Sequence, residues 1–172
     1  MRAGEDHADG TRRLVLLRHA KSEWPEGVPD HERPLAKRGR RDAPSAGRWL
    51  RRNGYLPDVV VCSDAERTRQ TWDLAAGKLG GTPVVRFEPR AYGASAMTLL
   101  YLARELPAEC RTALLIAHNP GISELAASLV GTSGGGISFP TAGVAVLEFD
   151  GDWTDLAPDQ ARLAGFVIPA DM

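Results

Sequence analysis

Leu14-Val15-Leu16-Leu17-Arg18-His19-Ala20 decides how this 172-residue chain is read. Four apolar residues in a row have the length of a strand covered on both faces, which shows no alternation because neither face meets water. The run stops abruptly at an arginine and a histidine. Two further runs have the same shape. Val59-Val60-Val61-Cys62 is followed by Ser63 and then Arg67, and Ala113-Leu114-Leu115-Ile116-Ala117 by His118-Asn119. Helix-length segments lie between them. From Leu35 to Arg52, the residues Leu35, Ala36, Ala43, Ala46, Trp49 and Leu50 partly follow a helical spacing, with six arginines on the wet face, and Asn53-Gly54 ends the segment. Further helices are expected from Ala65 to Leu79, Ala96 to Leu106 and Ile122 to Val130, closed by Gly80-Gly81, Pro107 and Gly131. Pro83 to Phe87, Gly143 to Phe149 and Leu163 to Ile168 complete the set of expected strands.

Strands alternating with helices predict an α/β fold: a single-domain three-layer α/β/α sandwich with a mostly parallel central sheet. The length agrees, since single domains run from about 50 to about 250 residues. Residues 1–12 mix Gly4, Glu5, Asp6, Asp9 and Gly10 without periodicity and read as a disordered tail, with the domain spanning 13–172. His7 in that tail carries no functional weight. Gly134-Gly135-Gly136 reads as a flexible loop.

Composition narrows the function. The apolar fraction of 43% and charged fraction of 25% are globular values. A net charge of −1 and a pI near 6.4 give no global field to draw the chain onto nucleic acid or an anionic membrane. Any anion must be caught locally. No stretch reaches the roughly 20 apolar residues of a membrane span. Two cysteines, Cys62 and Cys110, make neither a disulfide framework nor a four-cysteine zinc site, and buried thiols in the cytoplasm are expected.

In a parallel sheet, ligands bind beyond the carboxyl ends of the strands. That edge collects Arg18-His19, Ser63, Arg67 and His118-Asn119. Two arginines and two histidines there predict a cationic pocket in a nearly neutral protein, and a phosphoryl group is its natural guest. Arginine presents a planar fork of donors to phosphate oxygens and stays charged. A histidine whose pKa is lowered by such neighbours stays neutral, with one ring nitrogen free as a nucleophile; His19 is the candidate. His118 would hydrogen bond the equatorial oxygens. Ser63 and Asn119 are expected near the phosphate, and the start of the helix after Asn119-Pro120-Gly121 also favours anions.

The segments LVLLRHA (14–20), SDAERTRQT (63–71) and LLIAHNPG (114–121) together resemble the histidine phosphatase, or phosphoglycerate mutase-like, superfamily. The compact size, RHA in place of RHG, HNPG after the late strand, and Arg33-Pro34-Leu35 followed by Gly39 resemble its short bacterial SixA-type phosphohistidine phosphatases. The resemblance covers Leu14 to about Val130. It implies that His19 becomes phosphorylated, that Arg18, Arg67 and His118 complete the phosphate pocket, and that neither a metal nor an organic cofactor is needed. Many relatives carry an acid between the second arginine and the second histidine that protonates the leaving group. By position, Glu88 is the candidate here, with Tyr92 as a pocket-lining alternative.

Leaving-group chemistry bears on the substrate. An alkoxide is comparable to hydroxide leaving from water, pKa about 15.7, and depends on a proton donor. Imidazole, with a conjugate-acid pKa of about 6.5, needs far less help. The doubtful acid and the short chain, which predicts an open pocket, therefore favour phosphohistidine on a protein. Small phosphorylated molecules remain the alternative substrates, for a phosphomonoesterase or a mutase, and a phosphate-recognition module without turnover is the non-enzymatic reading. A zinc site would need a third ligand, and His31 lies in a charged loop. Ser63 lacks the glycines of a nucleophile elbow. Lys21, Ser22 and Trp24 are expected to form a rim.

Overall fold

The computed structural model describes residues 10–132 and 137–172. The tail as far as residue 9, including His7, and the glycines of 134–136 lie outside the described residues. Six strands form one sheet: β1 (Thr11–Arg18), β2 (Val59–Ser63), β3 (Val84–Glu88), β4 (Thr112–Ala117), β5 (Val144–Asp150) and β6 (Arg162–Val167). Their order across the sheet is β3-β2-β4-β1-β5-β6. The pairs β1 with β4, β2 with β4 and β2 with β3 are parallel, while β5 runs antiparallel to both β1 and β6. The four helices are α1 (Lys37–Arg52), α2 (Glu66–Leu79), α3 (Ala96–Arg104) and α4 (Gly121–Val130). The mostly parallel three-layer sandwich is thus as the alternation of runs predicts, with helix ends displaced by one or two residues.

The continuous apolar runs are explained by two cores, one on each face of the sheet. Leu14 and Leu16 of β1 pack with Leu99, Leu102, Ile122 and Leu125 on the α3 and α4 side. Val15 and Leu17 pack with Ala46, Leu50, Trp72 and Leu79 on the α1 and α2 side. Successive residues of one strand point to opposite faces, so a strand covered on both must be apolar throughout. Cys62 and Cys110 are both buried thiols without a disulfide. Burial pushes the Cys110 thiol up to about 12, which leaves it in the unreactive protonated form.

β1 starts at Thr11, before the expected boundary at residue 13. Arg12 is the reason: although charged, it is only 4% exposed. Its guanidinium donates to the carbonyls of Ala108 and Gly151 and pairs with Asp152 at 3.2 Å. A polar stretch is therefore stitched into the sheet by hydrogen bonds that composition does not show.

Close approach of the helices fixes the frame around the strand ends. A Cβ on Gly39 of α1 would stand 2.1 Å from the carbonyl oxygen of Lys21, just past β1, and one on Gly47 would meet the carbonyl of Ala75 in α2 at the same distance. Only a residue without a side chain lets α1 lie this near to both. Among the described residues, no helix is long and apolar enough to cross a membrane.

Candidate active site

The carboxyl ends of β1, β2 and β4 deliver Arg18-His19, Ser63 and His118 to one edge of the sheet. The backbone N–H of His19 donates to the Ala117 carbonyl at 3.1 Å, so the β1 and β4 ladder is carried one residue past the strand into the site. The rings of His19 and His118 lie 5.2 Å apart, centroid to centroid. His19, Arg67 and His118 are all buried.

His19 has a defined tautomer. Its Nδ1 lies 2.8 Å from the Ala20 carbonyl oxygen. A carbonyl only accepts, so Nδ1 carries the proton and Nε2 of the neutral ring keeps its lone pair. Burial first, then the charges of His118, Arg67 and Arg18, lower the His19 pKa to about 3. The ring is therefore neutral at physiological pH, as a nucleophile must be. The N–H of Ala20 in turn donates to Thr71 Oγ1 at 3.0 Å, and Thr71 Oγ1 donates to the Arg67 carbonyl at 2.7 Å. Thr71 thus ties the residue after His19 to the turn of α2 that carries Arg67. Sequence reading missed it, because a threonine inside a helix gives no signal of its own.

Burial, followed by the nearby Arg67, also lowers the His118 pKa, to about 4. This ring too is therefore neutral at physiological pH. Ser63 Oγ lies 2.8 Å from His118 Nε2 and accepts from the Ala65 N–H at 3.3 Å. His118 Nε2 is the one acceptor within reach of the hydroxyl among its described partners, so the hydroxyl proton goes to Nε2 and the proton of neutral His118 sits on Nδ1. This corrects the expected position of Ser63. It is completely buried, and its hydroxyl meets His118 and sets the orientation of that ring.

Arg18 Nη1 and Asn119 Nδ2 both donate to the Phe139 carbonyl, at 3.0 and 2.9 Å. One shared acceptor in the segment before β5 therefore fixes the guanidinium of Arg18 and the turn into α4. Asn119 consequently serves the geometry of Arg18, with one amide N–H committed to protein.

Arg67 meets a residue that the sequence did not single out. Its Nη1 donates to the Asp30 carbonyl at 2.8 Å and its Nη2 to Asp30 Oδ2 at 3.1 Å. Tyr92 Oη donates to the same Oδ2 at 2.5 Å, and Arg33 Nη1 to Oδ1 at 2.8 Å. These hydrogen bonds, that of Tyr92 first, hold the Asp30 carboxyl well below the usual carboxylate range. The ring of Tyr92 stands edge-on to both His118 and His31, at 5.6 and 4.7 Å. His31 Nε2 reaches Asp64 Oδ1 at 2.9 Å. The loop around 30 and the turn around 92 thus wall one side of a pocket expected to be open. Of the expected rim, Ser22 is buried under Arg33, while Trp24 is 77% exposed and stacks on the Arg33 guanidinium at 3.3 Å.

Glu88 does not fit the role of proton donor. Its carboxylate accepts from the backbone N–H of Arg90 at 2.9 Å and from that residue's guanidinium at 2.9 and 3.1 Å. These bonds lower its pKa, and Arg90 extends the network to Glu105 at 2.8 Å. The acid caps the short helical turn Pro89–Ala91.

Around His19, four buried polar atoms have no partner among the described residues: the nitrogens Arg18 Nε, Arg67 Nε and His118 Nδ1, and the acceptor Asn119 Oδ1. With the tautomer above, the three nitrogens are donors. Buried donors are almost always satisfied, so three converging beside a neutral imidazole define a receptor for a compact oxyanion.

A phosphatase is the class that this sheet edge defines, and residues 14–90 match the sequence pattern of the histidine phosphatase superfamily (branch 1). A candidate phosphohistidine phosphatase SixA from Nakamurella multipartitia shares 36% identity with a TM-score of 0.82, covering 93% of this chain and 97% of the other. A second, from Agrobacterium tumefaciens, shares 29% with a TM-score of 0.78 over 92% and 98%. The uncharacterized protein Rv1276c of Mycobacterium tuberculosis is 40% identical over 161 residues, 89% of this chain and 99% of the relative. The chain belongs to the histidine phosphatase superfamily. Within it, the match along nearly the whole length of the compact relatives places it in the SixA-type branch.

Proposed function

We propose that this phosphatase hydrolyses phosphohistidine on a protein through a phospho-His19 intermediate. Arg18, Arg67 and His118 hold the phosphoryl oxygens with the three donors that protein leaves unpaired. The Nε2 lone pair of His19 attacks phosphorus, the bond to the substrate nitrogen breaks, and water then releases phosphate from His19. Exchanging one phosphorus–nitrogen bond for another is close to thermoneutral. The set of buried donors around a neutral ring with its proton fixed on Nδ1 is the observation that carries this reading. A module that merely bound phosphate would not need a depressed imidazole pKa.

Two features favour an imidazole leaving group over an alkoxide. Glu88 is consumed by Arg90, and Asp30 is ionised, so neither supplies the proton that an ester requires. The candidate SixA neighbours carry the same assignment for themselves. Buried, protonated thiols fit residence in the cytoplasm.

His19→Ala tests the reading. Phosphate release from a phosphohistidine protein should fall by more than about 1000-fold, as on removal of other enzymic nucleophiles, while phosphate binding persists. Wild-type enzyme quenched during turnover should carry an acid-labile, alkali-stable label on His19. Undiminished release by the variant, or a label on another residue, would overturn the proposal.

A further inference from the structure

Asp30 is a carboxylate placed against the arginine of a phosphate site, an arrangement that weakens phosphate binding unless the carboxylate has work of its own. Its bonds show how much of it remains free. Oδ2 accepts from Arg67 and Tyr92, and Oδ1 accepts from Arg33. An ionised carboxylate has about four acceptor positions. Three are taken, and the fourth is on Oδ1. The side chain is 47% exposed, whereas His19 is 8% exposed. Asp30 stands beside the histidines through its partners: it holds Arg67, and Tyr92, which donates to it, is edge-on to His118 at 5.6 Å.

We propose that Asp30 is the specificity-determining residue of this site, its Oδ1 accepting a hydrogen bond from the far ring nitrogen of a substrate phosphohistidine and keeping that ring protonated as the phosphoryl group leaves. The inference rests on the phosphohistidine reading above. Its chemistry is specific to imidazole. A phosphorylated imidazole departs as a neutral ring only if its second nitrogen already carries a proton, and the pKa of an unmodified imidazole, about 6.5, leaves this form in the minority above neutrality. An adjacent negative charge favours the protonated ring. An ester oxygen has no such second site, so the same carboxylate offers it nothing.

The step balances without an external acid. The Nε2 pair of neutral His19 forms the new bond to phosphorus, and the old phosphorus–nitrogen pair returns to the substrate ring, which leaves neutral with its far N–H still on Asp30. The positive charge passes to phospho-His19, whose own N–H is held by the Ala20 carbonyl. The two rings are thus supported alike from opposite sides of phosphorus. The surrounding charged groups keep Asp30 in place: Arg33 is buried against the Ser22 hydroxyl and the Glu23 carbonyl, Arg67 lies beneath, and His31 is engaged by Asp64.

Asp30→Asn and Asp30→Glu, checked for native circular dichroism, should be assayed on phosphohistidine and on p-nitrophenyl phosphate. Asn is expected to lower kcat/KM on phosphohistidine about tenfold more than on the ester, and to move the alkaline limb of the kcat profile on phosphohistidine, which reports the bound ring, about one pH unit toward acid, a tenfold change being one unit. Glu should recover part of both. Equal losses on the two substrates, or an unmoved limb, would overturn the assignment while leaving phosphohistidine turnover intact. Wild-type enzyme without phosphohistidine turnover would overturn this inference and the preceding reading together.

Discussion

His19 and Asp30 approach the same guanidinium, Arg67, from two regions that are built on different principles. The floor of the site hangs from β1, β2 and β4, whose core residues leave their side chains no alternative position. Ser63 and Thr71 are fully buried there, and each hydroxyl bridges two groups by hydrogen bonds. The rim is made of loop residues that lie far apart in the chain and are held by polar contacts: Asp30 with Arg67, Tyr92 with Asp30, Arg33 with Trp24. Packing places His19, and charge pairing shapes what can approach it.

If the floor acts through rigid orientation, the largest effect of changing a residue that cannot touch substrate belongs to Ser63→Ala. A neutral His118 would lose the hydroxyl that selects its tautomer, and a buried ring nitrogen left unpaired costs about 1–3 kcal/mol. Turnover should fall about 10- to 100-fold, with kcat affected more than KM. An unchanged kcat in steady-state assays would show that His118 is oriented by something else.

A separate effect is expected on stability below neutral pH. His19 and His118 titrate near 3 and 4 in the folded protein, against about 6.5 when unfolded. The unfolded chain therefore binds more protons throughout that interval, and stability falls as pH drops from about 6.5 toward 4, by up to about 1.4 kcal/mol per unit for each ring. Above 6.5 these two rings contribute no slope. Urea midpoints measured from pH 7 to 4 should show this trend, and His118→Asn should flatten it. An identical slope in the variant would contradict the burial assigned to the floor.

Glu88→Gln should do least. The exposed ring of contacts among Glu88, Arg90 and Glu105 does not reach His19, so kcat on phosphohistidine should stay within about twofold, the scale of an exposed ion pair. A tenfold loss would return Glu88 to the list of proton donors.

The same contrast explains what the sequence made legible. Arg18, His19 and His118 each follow an apolar run, and the parallel order of the strands requires their ends to converge. Arg67 follows from the turn after β2. Ser63 was found at the right edge, but its partner depends on which way the hydroxyl points, which strand position does not encode. Asp30 and Tyr92 are 62 residues apart, in segments without periodicity, so no local pattern announces their meeting. Glu88 was nominated by its place between Arg67 and His118. Arg90, two residues on, claims that carboxylate, a local competition invisible to positional reasoning.

β1 carries a last consequence. Because Leu14 to Leu17 are apolar toward both helical layers, sliding the strand by one residue would bury nearly as much hydrocarbon as before, while moving His19 by about 3.3 Å. Hydropathy is indifferent to such a slide. What forbids it are the two moorings at its ends, Arg12 among the carbonyls of Ala108 and Gly151, and the Ala20 amide on Thr71. The aim of His19 is thus set in part by a buried arginine at the far end of its own strand.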